Sequence, residues 1–473
     1  MTAAVGIDIG TSNTKVVRVE RGVGTTVLNR ATPAGLDDLL ALVVAGLRVA
    51  TEAGSVDAVG VASMAESGYP LDADGRALTP LLSWRDGRDV IEIRSLADRL
   101  GADALFEATG VRPGPKPSLA VWLWLRAMHP DTFAAMHRWA GVADAVHLAL
   151  TGELRTDHTL AGRTLAYRLP PAGERLAGSF DADLLTEAGL RPDRLARVGL
   201  IGDPPSRVRP EVAAETGLRA GTPVVVAGHD HQVAAWASGV RDIGQVADSV
   251  GTAEAMLNLV GRVPDRAAVR RQGMSVVRTV DGSTEALLAG TGSAGGFLQW
   301  LADRHADGEV SDLLALDSAG KDALAGGGWL LPYPAGRQCP EPDPAIGVRL
   351  VGPPPAHLGV AALEAVSYQA QWVLDSQAAL SRRRTAQLSL SGRPLHRSPL
   401  WAGIRATLTD AATTLTTVAE PVASGAALLA LHRAGLGDEA PLLSQQVQPV
   451  DGLGDRYRER LRDFIASARQ PGP

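Results

Sequence analysis

Apolar positions near the start of this chain form two short runs on either side of a polar turn. Residues 5–20 pass from an alternating apolar segment that contains Asp8, through Gly10-Thr11, into a second apolar segment. Residues 246–260 repeat the same order around Gly251-Thr252. Apolar runs that flank a tight, Gly-containing turn predict a β-hairpin. We therefore expect two hairpins of one kind, each near the start of one of two related halves.

The rest of the chain alternates between strand-like and helix-like spacing of apolar residues. Strand-like runs occupy residues 56–63, 222–227 and 387–390. Helical periodicity or sustained apolar character predicts helices over residues 36–53, 119–128, 232–239, 290–301, 357–380 and 424–431. The small residues of the last segment would let that helix pack closely against a neighbour. An alternation of this kind is typical of an α/β architecture.

The length of the chain, 473 residues, exceeds what one hydrophobic core ordinarily organises, so more than one domain is expected. We place the boundary near residues 241–245, just before the second hairpin. This choice gives an N-terminal domain over residues 1–241 and a C-terminal domain over residues 242–473.

Composition narrows the classes of function. Hydrophobic residues make up 45% and charged residues 21% of the chain, which is typical of a globular protein. The formal net charge is −6 and no basic run occurs, so nucleic-acid binding is not expected. No apolar run is long enough to span a membrane, and no signal-peptide pattern is visible. Cys339 is the only cysteine. An internal disulfide therefore cannot form, and the cytoplasm is the expected location.

The two Gly-Thr turns are candidates for binding an anion. Backbone N–H groups and hydroxyls in such turns can point at one anion between them. A nucleoside triphosphate in a cleft between the two halves is the occupant that we expect. In the first turn the candidate phosphate ligands are Thr11, Ser12, Asn13 and Lys15. Alone, this turn would be an ordinary hairpin, and its second copy favours phosphate binding.

Seven blocks of sequence resemble, in their order, those of the FGGY carbohydrate kinases of the actin-like ATPase superfamily. They lie at residues 8–15, 63–68, 84–88, 150–157, 228–230, 248–252 and 331–344. Each block is weakly specific by itself, whereas their combined order and spacing are strong evidence. The resemblance covers nearly the whole chain. It implies an α/β fold with two actin-like (ribonuclease H-like) domains, each a mixed sheet flanked by helices, with a cleft between them.

The resemblance also implies ATP and Mg²⁺ as cofactors and assigns roles to two aspartates. Asp8 would hold Mg²⁺ through water. Asp230 would be the general base that takes the proton from a sugar hydroxyl. A plainer interpretation makes Asp230 a helix N-cap, which is compatible because capping would fix the carboxylate. His229 and His231 flank it, but no third ligand at a regular spacing follows, so a metal role for them is not favoured.

Glu66, Trp84, Asp86 and Arg88 form the candidate sugar site. Carboxylates that accept paired hydrogen bonds and a flat apolar ring are the groups that a sugar needs. In the family, the equivalent positions line the sugar pocket. The plainer interpretation is a set of polar loop residues, with Arg88 in a surface salt bridge. Glu66 departs from the Gln-Met-His block of other members, which leaves the identity of the sugar open.

The second half supplies the candidate nucleotide-binding residues Gly251, Thr252, Gly290, Gly392 and Arg393. Gly251 and Thr252 would approach the β- and γ-phosphates, and the glycines that begin at Gly290 permit close backbone approach. The segment with Gly392 and Arg393 aligns with the family's adenine-side loop, which usually carries two or three consecutive small residues. Arg393 could stack on adenine or obstruct its pocket, and the sequence leaves both open.

These expectations combine into one function, the Mg·ATP-dependent phosphorylation of a small ketose or polyol with Asp230 as base. The main alternative is a catalytically silent sugar-binding or regulatory protein on the kinase fold. The altered adenine loop is the feature that favours this alternative. A third is an ATPase of the actin or Hsp70 type that acts on protein. The expected partner is a small-molecule sugar, and binding to a membrane is not expected. Homodimers are common in the family, so a homodimer is possible here.

Overall fold

The computed structural model describes residues 2–88, 91–314, 324–437 and 440–470. The chain divides into two compact units. The first contains Met1–Gly239, Val276–Glu285 and Glu420–Leu442, and the second contains Val240–Ser275, Ala286–Ala419 and Leu443–Pro473. The division predicted from the sequence, at residues 241 and 242, stays a prediction. The compact units differ from the predicted domains because two segments beyond residue 241, Val276–Glu285 and Glu420–Leu442, belong to the first unit.

The elements of the first unit come mainly from the first half of the chain. Its strands are β1 (Ala3–Ile9), β2 (Asn13–Glu20), β3 (Val23–Ala31), β4 (Ala58–Ser63), β5 (Gly68–Leu71), β6 (Arg138–Gly141), β7 (Arg155–Asp157), β8 (Arg197–Gly199), β9 (Ser206–Arg207) and β10 (Pro223–His229). Its helices are α1 (Leu36–Glu52), α2 (Ile91–Leu100), α3 (Ala102–Thr109), α4 (Ser118–Met128), α5 (Pro130–Ala135), α6 (Val142–Thr151), α7 (His158–Ala161), α8 (Ala182–Glu187), α9 (Pro210–Thr216), α10 (Asp230–Ala237) and, from late in the chain, α17 (Pro421–Arg433).

The remaining elements follow in chain order. The strands are β11 (Gln245–Val250), β12 (Glu254–Gly261), β13 (Ser275–Arg278), β14 (Glu285–Thr291), β15 (Trp329–Leu331), β16 (Arg349–Val351), β17 (Gln387–Ser391), β18 (Ala412–Thr416) and β19 (Ser444–Gln446). The helices are α11 (Arg266–Arg271), α12 (Gly295–His305), α13 (Val310–Leu314), α14 (Leu358–Ser381), α15 (Arg393–Arg397), α16 (Pro399–Leu408) and α18 (Gly454–Ala468). None of the described helices has both the length and the apolar character needed to cross a membrane.

The main sheet of the first unit has the strand order β3-β2-β1-β4-β10-β9. β1 and β2 form the antiparallel hairpin predicted for the first Gly-Thr turn. β1, β4 and β10 run parallel, with Ile9 opposite Ser63 and Ser63 opposite His229. The carboxyl ends of these three strands therefore meet at one edge of the sheet. In α/β proteins this edge is where ligands bind.

The three parallel strands are central because their sequences are apolar on both faces. Every residue of β1, β4 and β10 is buried, as expected for a parallel strand covered by helices. On one face, α1 buries Leu39, Val43 and Leu47 at helical spacing. These side chains share a core with Ile7 and Val61. The predicted helix over residues 36–53 and the predicted strand over residues 56–63 are thus confirmed.

Helix α17 packs on β1 and β4 through backbone-to-backbone contact. A Cβ atom on Gly6 would lie 2.7 Å from the carbonyl carbon of Ala423, with the oxygen closer still. A Cβ atom on Gly60 would lie 2.5 Å from the carbonyl carbon of Ala426, again with the oxygen closer. Real Cβ atoms do not approach backbone so closely, so the two glycines are what allow α17 to pack here. The close packing predicted for this small-residue helix is confirmed.

The second unit repeats the arrangement of the first sheet. Six of its strands lie in the order β14-β12-β11-β17-β18-β19. β11 and β12 form the second predicted hairpin, and β11, β17 and β18 run parallel. The long helix α14 confirms the periodicity of residues 357–380. The mixed α/β class, with two sheets flanked by helices, is confirmed.

Candidate active site

The carboxyl edge of β1, β4 and β10 places the first-unit candidates near one another. The turn that follows β1 contains Thr11, the loop that follows β4 contains Glu66, and α10 begins at Asp230 directly after β10. Because neighbouring parallel strands end in register, residues that are far apart in sequence converge here. These three motifs of the first half thus meet at one edge of the sheet.

Asp8 and Lys15 form an ion pair across the first hairpin, with Asp8 buried and Lys15 partly exposed. Lys15 Nζ lies 3.2 Å from Asp8 Oδ2 and 3.1 Å from a carboxylate oxygen of Glu420. Burial, with a smaller contribution from the nearby Asp230, raises the pKa of Asp8 to about 6 against the opposing effect of Lys15. Burial acts to lower the pKa of Lys15, but Asp8 and Glu420 outweigh it and raise the pKa above its ordinary value. Lys15 therefore stays charged at neutral pH.

One oxygen of Asp8 remains available for a cation. Among the described residues, no partner donates to its buried Oδ1 atom. A buried, unsatisfied carboxylate oxygen is costly, and a hard cation with its water shell would satisfy it. The residues present therefore fit the Mg²⁺ that the family resemblance implies at Asp8.

Asp230 is the first residue of α10 rather than its N-cap, which is His229. This corrects the plainer interpretation from the sequence. The Asp230 Oδ1 atom accepts a 2.6 Å hydrogen bond from the backbone N–H of His231 and lies 3.2 Å from His229 Nε2. Burial would raise its pKa, but His231, His229, the His231 backbone N–H and Lys15 outweigh burial and lower it. The side chain keeps 20% of its surface exposed, so a ligand can reach it.

The two histidines beside Asp230 are close enough to share an ion with it. The ligand atoms of His229, Asp230 and His231 lie within 4.8 Å of one another. Burial lowers the pKa of His229 to about 4, so its imidazole is neutral at neutral pH. Gln232 Oε1 lies 3.0 Å from His229 Nδ1 and fixes the ring. A neutral ring beside a carboxylate orients that carboxylate without adding charge.

A chain of polar contacts supports the junction of β10 and α10, where Asp230 lies. Arg433, at the end of α17, donates to Asp157 Oδ2 at 3.1 Å and to the carbonyl of Val226 at 3.0 Å. The other Asp157 oxygen accepts from the Thr159 hydroxyl at 2.6 Å. The Thr159 hydroxyl oxygen in turn accepts from the His229 backbone N–H at 2.9 Å. The orientation of Asp230 therefore depends on a residue from the far end of the chain.

The first hairpin turn and the candidate sugar site touch directly. Trp84 donates its indole N–H to the Thr11 hydroxyl at 3.2 Å. The Thr11 hydroxyl lies 3.4 Å from the sulfur of Met64, and the Trp84 backbone N–H donates to Ser67 at 3.1 Å. Thr11 thus joins the predicted phosphate loop to the predicted sugar pocket.

Glu66 contacts a residue that no motif indicates, Arg163. The Arg163 Nη2 atom donates to Glu66 Oε1 at 2.7 Å. Its Nε and Nη1 atoms are buried, and no partner for them occurs in the part of the chain that the structure describes. Glu66 has a φ of +64°, a strained value for a residue other than glycine. Strain of this kind and unpaired buried donors are typical of a ligand site.

Asp86 and Arg88 satisfy one another within their own loop. They form a salt bridge, Arg88 donates to the Ser83 carbonyl at 2.9 Å, and its guanidinium lies 4.8 Å from the centre of the Trp124 ring. The pairing agrees with the salt bridge of the plainer interpretation, but the Arg88 side chain is only 9% exposed and does not lie on the surface as that interpretation had it. A sugar-binding role for the pair stays a prediction.

Asn13 and Ser12 contribute mainly to the turn itself. The Asn13 side chain donates to the side chain of Asn29 at 2.6 Å, and the Ser12 carbonyl accepts from the Thr32 N–H at 3.0 Å. The Gly10 N–H donates to the Asn13 carbonyl at 3.0 Å and closes the turn. Phosphate contacts from these two residues remain a prediction.

In the second unit, the backbone closes around the second hairpin turn. The Gly295 N–H donates to the Gly251 carbonyl at 3.1 Å, and the Gly296 N–H donates to the Thr252 carbonyl at 2.7 Å. Gly392 has a φ of +119°, and a Cβ atom there would lie 2.9 Å from the carbonyl carbon of Val250. The start of α12 and the loop before α15 therefore both contact this turn.

The other two nucleotide candidates lie beside this turn in the fold. Gly290 is near the end of β14, and Arg393 is the first residue of α15. The helical start at Arg393 replaces the run of small residues expected for an adenine-side loop. The two alternatives for Arg393, stacking on adenine and obstruction of the adenine pocket, both stay predictions.

Asp248, the second-hairpin counterpart of Asp8, has a different partner. It forms a salt bridge with Arg405, which also lies 2.8 Å from Glu254. All three side chains are buried. Burial and the neighbouring Asp248 raise the pKa of Glu254 well above its ordinary value despite Arg405. Asp248 thus pairs with an arginine of its own unit, whereas Asp8 pairs with Lys15.

Comparison with known proteins places this geometry in a family. Residues 40–237 match the N-terminal domain, and residues 249–434 match the C-terminal domain, of the FGGY family of carbohydrate kinases. The chain belongs to this family. The resemblance inferred from the seven blocks is thereby confirmed.

Relatives of this FGGY chain include two L-fuculokinases. An L-fuculokinase from Haemophilus influenzae is 26% identical over 217 residues, which are 46% of this chain and 44% of that protein. The alignment thus spans less than half of that relative's length. An L-fuculokinase from Escherichia coli K12 is 25% identical over 386 residues, covering 80% of this chain and 77% of the relative.

Solved structures share the fold over almost the whole FGGY chain. A xyloylose kinase from Brucella ovis superposes with a TM-score of 0.86 at 22% identity, covering 98% of both chains. A Plasmodium falciparum glycerol kinase with ADP superposes with a TM-score of 0.82 at 15% identity, covering 100% of this chain and 99% of that chain. At these identities the similarity establishes the fold alone.

Proposed function

We propose that this FGGY chain transfers the terminal phosphoryl group of ATP to a hydroxyl of a small sugar, a ketose or polyol. The observation that carries the proposal is the position of Asp230, an ionised, partly exposed carboxylate at the strand edge that also holds Asp8, Lys15 and Glu66. The names of the L-fuculokinase relatives and of the ADP-bound glycerol kinase agree with a sugar acceptor and a nucleotide donor.

Asp230 is the proposed general base. At neutral pH its carboxylate is ionised, because hydrogen bonding and nearby positive charge lower its pKa despite burial. A base of low pKa suffices in phosphoryl transfer, where most acceleration comes from alignment and charge neutralisation. The network from Arg433 through Thr159 to His229 would hold the carboxylate in place against the acceptor hydroxyl.

The remaining residues would bind and orient the two substrates. When bound, Mg·ATP supplies the phosphoryl group and a cation that neutralises charge on its phosphates. Asp8 would hold that cation through water, and Lys15 would offer its ammonium to the phosphates together with Thr11. Glu66 and Trp84 would orient the sugar by hydrogen bonding and by an apolar face.

A coupled ADP-release assay tests the proposal. We expect release that depends on an acceptor when wild-type protein and Mg·ATP are mixed with pentuloses, hexuloses, polyols and aldonic acids in turn. Asp230→Asn should lower turnover at least about 1,000-fold while Mg·ATP still binds in a calorimetric titration. Arg191→Gln, in an exposed salt bridge with Asp193, is the matched control and should behave as wild type.

Three results would decide against the proposal. Unchanged turnover in Asp230→Asn would remove Asp230 from the role of base. Failure of the wild-type protein to bind Mg·ATP would favour the alternative of a catalytically silent sugar-binding protein. The helix that begins at Arg393, in place of a loop of small residues, is the feature that suggests this alternative. ADP release that no sugar stimulates would favour an ATPase that acts on protein.

A further inference from the structure

Three metal-binding atoms come together at the junction of β10 and α10. Asp230 Oδ1 lies 3.2 Å from His229 Nε2 and 3.8 Å from His231 Nε2. The ligand atoms of the three residues all lie within 4.8 Å of one another. The sequence does not favour a metal site here, because no third ligand follows the histidines at a regular spacing. In the structure, Asp230 itself is the third ligand.

Gln232 fixes which nitrogen of His229 carries the proton. The side-chain amide N–H of Gln232 donates to the carbonyl of Arg278, so its Oε1 atom is the one that lies 3.0 Å from His229 Nδ1. Because an amide oxygen only accepts hydrogen bonds, Nδ1 must be the protonated nitrogen. The Nε2 atom of the neutral ring then carries a lone pair, and it lies 3.2 Å from the Asp230 carboxylate.

A cation between these two atoms would remove the repulsion of their lone pairs. A proton there would place a charge on the His229 ring, whose side chain is only 8% exposed, and burial opposes this. A metal ion is bound by neutral imidazole and ionised carboxylate without that protonation. Tetrahedral Zn²⁺, with bonds of about 2.0–2.1 Å, separates its ligand atoms by roughly 3.3 Å, close to the distance between His229 and Asp230. His231 is 39% exposed, so its side chain has room to close the remaining distance.

The hydrogen bonds around the cluster are those of a built metal site. Histidines that bind a metal usually donate their other ring N–H to an oxygen, which fixes the orientation of the ring. His229 does so through Nδ1 to Gln232. Asp230 Oδ1 accepts a 2.6 Å hydrogen bond from the backbone N–H of His231, which holds the carboxylate. Two of the three ligands are therefore oriented before an ion binds.

The positive charges near the cluster are compensated. Lys15 acts on the pKa of Asp230, and Arg163 acts on the pKa of His229. Both cations already form ion pairs with carboxylates. These carboxylates are Asp8 and Glu420 for Lys15, and Glu66 for Arg163. With Asp230 included, carboxylates outnumber cations, and the surroundings favour a divalent cation.

We propose that His229, Asp230 and His231 bind a divalent transition-metal ion, with Zn²⁺ as the best-fitting ion, and that the bound ion inhibits phosphoryl transfer. Two imidazole nitrogens favour such an ion over Mg²⁺, which prefers oxygen ligands. An ion on Asp230 Oδ1 withdraws electron density from the carboxylate that must take the proton of the sugar hydroxyl. The inhibition rests on the proposed function, whereas the binding does not.

Calorimetric titration of Zn²⁺ into wild-type protein freed of metal by a chelator, without nucleotide, tests the binding. We expect one tightly bound ion per chain. His231→Gln should weaken its binding at least about tenfold, and Gln232→Leu should weaken it about 10–100-fold by removing the partner of the His229 ring. His137→Gln, which removes an exposed histidine of the same unit, is the matched control and should bind Zn²⁺ as wild type does. Absence of binding to the wild type, or wild-type affinity in His231→Gln, would overturn the site.

Chromatographic measurement of ADP tests the inhibition without coupling enzymes that are themselves sensitive to zinc. Zn²⁺ should abolish sugar-dependent ADP release in excess Mg²⁺, and a zinc-selective chelator should restore it. The Zn²⁺ concentration for half-inhibition, relative to the zinc-free rate of the same variant, should rise at least about tenfold in His231→Gln and stay unchanged in His137→Gln. Bound Zn²⁺ without loss of turnover would overturn the inhibition. If no sugar stimulates ADP release without Zn²⁺, the proposed function fails, and the titration still decides whether the metal site exists.

Discussion

Replacing Gly60 with alanine sets two opposite physical effects against each other. In a strand, alanine is ordinarily better than glycine by roughly 0.5–1 kcal/mol, because glycine loses more conformational entropy on folding. At Gly60, however, the added Cβ atom would lie 2.5 Å from the carbonyl carbon of Ala426 in α17. Carbon atoms pack at about 3.5–4.0 Å, so the helix backbone would have to move by about 1 Å.

The steric effect should be the larger one. The obstructing atoms are helix backbone, which cannot rotate away as a flexible side chain can. Overpacking a buried site costs about 1–3 kcal/mol and sometimes more, and we expect the upper end for Gly60→Ala. For a unit of this size, about 3 kcal/mol corresponds to a loss of roughly 6–12 °C in Tm.

Urea unfolding followed by circular dichroism, together with a thermal melt, measures this loss. Gly114→Ala is the matched control, because a Cβ atom on Gly114 would meet nothing within 4 Å. That variant should be as stable as wild type or slightly more stable. If Gly60→Ala matched Gly114→Ala to within about 0.5 kcal/mol, the packing of α17 on β4 would be wrong.

Three other substitutions test separate parts of the first unit. Arg433→Met should lower the unfolding free energy by about 3–5 kcal/mol in urea, since it leaves the buried Asp157 carboxylate without its ion-pair partner; equal stability would refute the pairing. Burial raises the pKa of Asp144 to about 7, so its carboxyl destabilises the fold progressively as pH rises from about 4 to 7. Asp144→Asn should therefore gain stability over wild type at pH 8 but not near pH 4, and a gain independent of pH would contradict this. Glu66→Ala should raise the KM for the sugar more than the KM for ATP, and an unchanged sugar KM would remove Glu66 from the pocket.

Local patterns predicted the parts of the site that lie at strand ends. The turn after β1 and the start of α10 are visible in the sequence because each combines an apolar strand with a change of periodicity. The positions of Asp8 and Asp230 at strand ends could therefore be predicted, and so could the hairpin that carries Thr252. The chemical roles of the two aspartates came from the family resemblance and stay proposals. These features depend on residues that are near neighbours in the chain.

Long-range partners could not be predicted in this way. Arg163 reaches Glu66 across 97 positions, and Arg433 reaches Asp157 across 276. A single arginine in a loop or at a helix end carries no periodic signal, since arginine is most often a solvated surface residue. The sequence also did not show that Asp8 and Asp248 have different partners. The partner of Asp248, Arg405, comes from α16, far along the chain.

The late return of α17 to the first sheet has a consequence for biosynthesis. While the ribosome is still translating the second unit, β1 and β4 are complete but the helix that covers Gly6 and Gly60 has not yet been made. An uncovered face of that sheet would be a binding site for chaperones or for a neighbouring nascent chain. Folding of the first unit should therefore finish only after residue 433 has left the exit tunnel.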